Sequence, residues 1–294
     1  MRTSRVLVAT DLSETSALAL REAHARAACG GVLLVCHILP SWPRDNAVLP
    51  HTTIPADEDL ATRRRQAAEA VTMFVAEATG RGPDDYSMSV DSGDPAGTVV
   101  RRADEWKADL IVVGSFGVTA LSRMRLGSVA EQVLRLASCP VLVVRPRRGS
   151  GVILAGTDFS DAARPALEAA AGEARRTGGR VTYLHSVEWR CVGDAQIAGG
   201  AIVARHLPND PADRARTRLE ASLRQYAVDG ECRVVYGKAG RALVREAEAD
   251  GADLLVIGTH GRSGISRPML GSVADFVVRT APCSVLVVPL GGGV

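Results

Sequence analysis

Short unbroken apolar runs alternate with longer amphipathic stretches along this chain, and the series is played through twice. The first run, residues 5–10, has the length and character of a strand buried on both faces of a parallel sheet. It ends in Asp11-Leu12-Ser13, where Ser13 is placed to N-cap a helix carrying Leu18, Leu20, Ala23 and Ala27 on a broad apolar face. Gly30-Gly31 stops that helix. Further strands are predicted at 32–39, near 86–90, at 110–113 and at 140–144, with helices over about 59–79, from Pro95 to near Trp106, and from Val129 to about Leu136. After Arg147-Arg148-Gly149-Ser150-Gly151 the pattern restarts, with strands at 152–157, 181–187, 232–236, 254–257 and 285–288. Helices are predicted over about 211–226 and 241–249, and the longest loops fall at 40–55 and 188–210. Strands alternating with helices call for a parallel sheet with right-handed crossovers. The repeat is a duplicated domain, not a solenoid unit.

The most specific repeat comes after the fourth strand of each half. Residues 108–128 and 252–272 both read as an apolar strand, a Gly-x-x-Gly turn, nine further residues and a Gly-Ser pair that opens a helix. Gly114, Gly117, Gly127 and Ser128 are matched, at a constant spacing of 144, by Gly258, Gly261, Gly271 and Ser272. Glycines at a strand end allow positive φ and close approach of backbone to a ligand. A helix that starts at Gly-Ser points N–H groups outward with the positive end of its dipole behind them. Together these make an anion site, most often one for phosphate; the ordinary reading is a pair of tight turns and N-caps. Recurrence of the whole spacing favours the site.

In such sheets ligands lie beyond the carboxyl ends of the strands, where strand order reverses. Asp11 and its counterpart Asp158 come directly after strand one of each half. A carboxylate is a poor neighbour for phosphate, so these residues need another task. Accepting hydrogen bonds from ribose hydroxyls, helping to hold Mg²⁺, and complementing a helix N-terminus all stay open. Arg123 and Arg267, each after a serine inside the loops, are placed either to neutralise terminal phosphates or to sit in solvent. The first loop has Phe116 and Val118 where the second has His260 and Arg262, so two pockets of unequal affinity are expected. His37 and His185, at the ends of strand two, read as satisfied core or rim histidines rather than ligands. The turns at Gly93-Asp94-Pro95 and Gly237-Lys238-Ala239-Gly240 lead from strand three into its helix; a border of the same pocket is one reading and ordinary turns the favoured one.

Composition narrows the classes. The chain of 294 residues is 46% hydrophobic and 23% charged, enough for two domains with their own cores. A formal charge of +2 gives no dedicated grip on nucleic acid or anionic lipid. Lysine occurs only at Lys107 and Lys238, neither of them in P-loop position. Six cysteines without a C-x-x-C pair suggest reduced thiols, and the six histidines show no zinc spacing. No apolar run reaches the roughly 18 residues of a membrane span and no signal peptide is read, so a cytoplasmic protein is expected. No nucleophile and base can be paired from sequence, so a catalytic triad is not assigned.

The G-x2-G-x9-G-[ST] spacing at 114–128 and 258–272, Asp11 and Asp158 after strand one, and the C-P-V-L-V-V-R-P strand resemble the universal stress protein family. The resemblance covers the chain as two tandem domains, 1–147 and 151–294. It implies α/β architecture, with two Rossmann-like (adenine nucleotide alpha hydrolase-like) domains, each a five-stranded parallel sheet in order 3-2-1-4-5. It also implies ATP with Mg²⁺ at the switch point, with aspartate on ribose and strand-two backbone near Leu39 and Val187 on adenine. Phosphates would lie on Gly114, Gly117, Gly127 and Ser128 and on Gly258, Gly261, Gly271 and Ser272. Pairing through strand five would make the halves an internal pseudo-dimer, with a homodimer of chains open. The first loop departs from the T-H-G-R-S that begins the second. The expected function is a regulatory or stress-response module with at most slow ATP hydrolysis. A nucleotide-hydrolysing or adenylylating enzyme and a nucleotide-independent scaffold are the alternatives.

Overall fold

A computed structural model describes residues 5–28, 30–40, 60–116, 126–146, 148–188, 211–259 and 270–290. The chain divides into two compact units, Arg2–Pro146 and Arg147–Val294. In the first, β1 (Arg5–Thr10), α1 (Glu14–Ala27), β2 (Val32–Pro40), α2 (Leu60–Thr79), β3 (Ser87–Gly93), α3 (Pro95–Trp106), β4 (Leu110–Gly114), α4 (Ser128–Leu136) and β5 (Val141–Val144) succeed one another. All pairings in its sheet are parallel, in the order β3-β2-β1-β4-β5. The second contains β6 (Val152–Gly156), α5 (Arg164–Thr177), β7 (Arg180–Val187), α6 (Pro211–Gln225), β8 (Glu231–Tyr236), α7 (Ala239–Ala249), β9 (Leu254–Gly258), α8 (Ser272–Thr280) and β10 (Ser284–Val288). Its order, β8-β7-β6-β9-β10, is the same 3-2-1-4-5 arrangement, again parallel.

The layering determines the core. Helices on both faces leave strands such as β5 and β10 buried at every position, which is why they read as unbroken apolar runs. In each unit the strand reached through β2 or β7 is half-exposed instead. The polar tail of β3 runs past its expected end near residue 90. Pairing with β2 continues to Pro40↔Gly93 because Asp91, unfavourable in a strand by itself, is neutralised there. Arg102 of α3 grips it with two hydrogen bonds, of 2.6 and 2.8 Å, while the Ser89 hydroxyl donates at 2.5 Å. The second unit builds the same strand-to-helix tie with opposite signs: Arg233 of β8 reaches Glu246 of α7 at 3.3 Å and Asp250, which caps that helix, at 2.7 Å. Gly93 and Gly237 leave these strands at φ of 136° and 128°, values that side chains rarely allow.

The aspartate that precedes strand four ties it to the beginning of strand one. Asp109 exchanges hydrogen bonds with Arg5: the Arg5 N–H donates to its carboxylate, and its own N–H donates to the Arg5 carbonyl, both at 2.9 Å. Asp253, 3% exposed, accepts from the N–H groups of Arg148, Gly149 and Gly151 at 2.9, 2.7 and 2.8 Å. The segment after which the sequence pattern restarts is therefore anchored to the second unit. Among the described residues no helix is long and apolar enough to cross a membrane.

Two outcomes are expected. Asp253→Ala strands three backbone donors and should destabilise the second unit by about 3 kcal/mol in denaturant titration, with the first unit unchanged. Asp91 is held down from 3.8 to about 2, chiefly by its Arg102 hydrogen bonds and against the upward push of burial. A depressed carboxylate stabilises the fold above its unfolded value, and that contribution is lost as pH falls through its folded one. Asp91→Asn should thus cost about 1 kcal/mol at pH 7, discounted for the partly exposed Arg102, and the gap from wild type should close as pH falls from 4 to 2.

Candidate functional site

Pairing of strand one with strand four brings two turns together at the carboxyl end of each sheet. Val8 is in register with Val112, and Ala155 with Val256. The chain beyond β1 is the acidic turn and the chain beyond β4 is the start of the glycine loop. Strand order reverses between them, the place where open α/β sheets take ligands.

The acidic turns are built alike. Asp11 Oδ1 accepts from Ser13 N at 3.1 Å and from Ser13 Oγ at 2.5 Å. Asp158 Oδ1 accepts from Ser160 N at 3.0 Å and from Ser160 Oγ at 2.6 Å. The middle residues, Leu12 and Phe159, take left-handed φ of 63° and 65°. Such a conformation costs a side-chain-bearing residue about 1–2 kcal/mol, and local bonds offset it. Thr10 and Thr157 Oγ1 accept from the N–H groups of Leu12 and Phe159 at 3.0 and 3.1 Å. One strand over, His37 Nδ1 lies 2.9 Å from the Thr10 carbonyl and His185 Nδ1 lies 2.8 Å from that of Thr157. A carbonyl only accepts, so each Nδ1 carries the proton and the imidazoles hold the residue before the aspartate.

At the glycine loops Gly127 N donates to Ser115 O and Gly271 N to Thr259 O, both at 2.8 Å. The helices then open at Ser128 and Ser272 with no side chain capping either one, so N–H groups of the first turn face the switch point. Positive φ is not what Gly127 and Gly271 supply, since their φ values are −66° and −60°. Gly114 answers to close packing. A methyl there would meet the Thr15 backbone carbon and Oγ1 at 3.0 Å. Gly258 closes β9 at the corresponding point. Ser115, 2% exposed, keeps a buried hydroxyl that has no partner among the described residues. Gly117, Arg123, Gly261, Arg267 and His260 lie outside the described residues.

Leu39 and Val187 lie at the end of strand two of each half, in register with Ser92 and Tyr236. The Val187 carbonyl already accepts from Gly237 N at 3.0 Å. The second half adds a feature that the sequence does not announce. The Phe159 ring packs on His185 with centroids 4.0 Å apart, and the Arg218 guanidinium lies 4.7 Å from the Phe159 centroid. Leu12 gives the first half no such stack, and an F-for-L difference inside D-x-S is the only sequence signal of it. Burial pushes the Cys36 and Cys139 thiols up to about 12, which removes them as nucleophiles. Among the described residues no three His, Cys, Asp or Glu side chains cluster as a metal site.

Gly114→Ala should cost about 1–3 kcal/mol by overpacking against Thr15, visible as a lower melting temperature of the first unit whether or not any ligand is present.

Comparison with known proteins fits this architecture. The profile of the universal stress protein family matches residues 2–145 and again 150–289. A universal stress protein of Mycolicibacterium smegmatis is 30% identical over 298 aligned residues, covering 96% of each chain. One of Mycobacterium tuberculosis is 31% identical over 234 residues, covering 76% of each. The crystal structure of a universal stress protein from Archaeoglobus fulgidus superposes with a TM-score of 0.66 at 22% identity, covering 98% of this chain and 97% of that one, and so shares the fold. Two matched domains, the parallel 3-2-1-4-5 sheets and full-length relatives lead to one assignment: the chain belongs to the universal stress protein family.

Proposed function

We propose that this protein binds an adenine nucleotide, ATP together with Mg²⁺, in one or both halves and acts as a cytoplasmic regulatory module of the stress response. The observation that carries the reading is the duplicated switch point. In both halves a carboxylate turn of matching distances stands beside a helix N-terminus that no side chain caps. Asp11 and Asp158 would receive ribose hydroxyls, and backbone near Leu39 and Val187 would meet adenine. Gly114, Gly117, Gly127 and Ser128, with Gly258, Gly261, Gly271 and Ser272, would hold phosphates on backbone N–H groups. Arg123 and Arg267 would neutralise the terminal phosphate. The Ser115 hydroxyl, without a partner among the described residues, is a further donor at that end. Mg²⁺ is commonly held by one or two carboxylates and the phosphates themselves, so it needs no dedicated protein cage.

Hydrolysis is a minor part of the proposal. The Cys36 and Cys139 thiols stay protonated, and the hydroxyls that touch a carboxylate at the switch points, Ser13 and Ser160, are held by local turn bonds. Turnover should fall far below the roughly 10 s⁻¹ of a typical enzyme. Domain limits of 1–147 and 151–294, pairing of the halves through strand five and a homodimer of chains belong to the same reading, with light scattering the measure of the last.

Acid release and chromatography of freshly purified protein should give up to two ATP per chain, with a steady-state assay showing the slow turnover above. Asp11→Ala and Asp158→Ala should each weaken one site by about tenfold, the loss of a hydrogen bond to a charged group. Absence of nucleotide even after adding ATP and Mg²⁺ would leave an interaction scaffold.

A further inference from the structure

The two acidic turns share their carboxylate geometry and differ in the residues that come next. After Ser13 the first half continues Glu14-Thr15-Ser16; after Ser160 the second continues Asp161-Ala162-Ala163. Thr15 and Ser16 are buried, at 8% and 3% exposure. Ser16 Oγ donates to the Ser13 carbonyl at 2.9 Å and lies 2.9 Å from Thr10 Oγ1. Ser13 Oγ accepts from Ser16 N at 3.2 Å, so α1 is capped directly. In the second half Ser160 makes no such cap, and a short 3₁₀ turn, Asp161–Ala163, precedes α5. Thr15 reaches further. Its hydroxyl donates to the carbonyl of Phe116, two residues past Gly114, and stands 3.1 Å from Ser13 Oγ. Ala162 has no group to do the same.

Proton counting gives this arrangement a direction. Each hydroxyl carries one proton, which rotates to the best acceptor. Ser13 sends its proton to Asp11 Oδ1 at 2.5 Å, and Thr15 sends its own to Phe116 O. The Ser13–Thr15 contact is then two acceptors facing each other with no proton between them. A ligand hydroxyl that donates to Oδ1 of Asp11 competes with Ser13 for that oxygen. Once displaced, the Ser13 hydroxyl turns toward Thr15 Oγ1 and donates there. That polarises Thr15 and strengthens its bond to the glycine loop, as chains of hydrogen bonds do in a low dielectric.

We propose that Ser13 and Thr15 form a hydroxyl relay that couples a sugar bound at Asp11 to the Phe116 carbonyl, where the glycine loop of the first half begins. The two ends of a nucleotide then bind cooperatively in the first pocket and independently in the second. This rests on the nucleotide reading above and adds to it a regulatory difference between the pockets. Thr15 is a positioning residue: it touches the loop and not the ligand.

The test is hydrogen-exchange mass spectrometry of the full chain titrated with ATP and with 2′,3′-dideoxy-ATP. Peptides within 110–136 report the first pocket and those within 254–280 the second. Removing the ribose hydroxyls should weaken first-pocket binding more in wild type than in Thr15→Ala, the two ratios differing by about fivefold, the low end of ordinary coupling between sites. Thr15→Ser, which keeps the hydroxyl, should restore the wild-type ratio, and the second pocket should give one ratio throughout. Ala162 stands naturally at the matching position, so alanine suits this turn. A first-pocket ratio equal in wild type and Thr15→Ala overturns the relay and leaves nucleotide binding standing. Wild-type protein that gains no protection in either region at saturating ATP removes both.

Discussion

The hydrogen-bond ladder between strand one and strand four is the interaction on which the rest of each half depends. Chain direction fixes its consequence: two parallel neighbours end at the same edge, so the turns that leave them meet there. Asp109 and Asp253 reinforce this by tying the beginning of strand four to the beginning of strand one. The acidic turn and the glycine loop lie far apart in sequence, and no local propensity brings them together. The sheet does it.

Around this common frame the halves have diverged in their supports more than in the atoms they present. The carboxylate distances agree within about a tenth of an ångström across the duplication. The ion pairs joining strand three to its helix exchange acid for base. A hydroxyl network stands behind one turn and an alanine pair behind the other, while the second gains an aromatic stack that the first lacks. Such differences leave a site recognisable while changing how rigidly its parts are held. Rigidity, more than inventory, decides how far one end of a ligand is felt at the other.

Much of the fold is legible in the sequence for a simple reason. Strands buried on both faces carry few polar residues, so they read as nearly continuous apolar runs, and the glycine spacing recurs without drift. Legibility fails where backbone hydrogen bonding overrides side-chain character. The D-S-G tail of β3 resembles a turn and is a strand, because an arginine eleven residues later neutralises its aspartate. Left-handed φ at Leu12 and Phe159 is invisible, since neither residue type favours it and the stabilising bonds come from neighbours. Gly114 is recognisable as significant, but the reason is a helix pressed against it and not a bend. His37 and His185 are readable as satisfied core or rim residues; that they clamp the carbonyl before each aspartate depends on the register of strand two with strand one.

The Asp253 clamp bears on how a doubled gene of this kind can be cut or joined. One buried carboxylate closes over the N–H groups of Arg148, Gly149 and Gly151, so the seam between repeats is already structural wall for the second of them. A fragment that begins at Gly151 keeps the charge and loses two of its three donors. Recombination between repeats would therefore succeed upstream of the seam and fail inside it. The shortest heritable piece of this half is longer than its sheet.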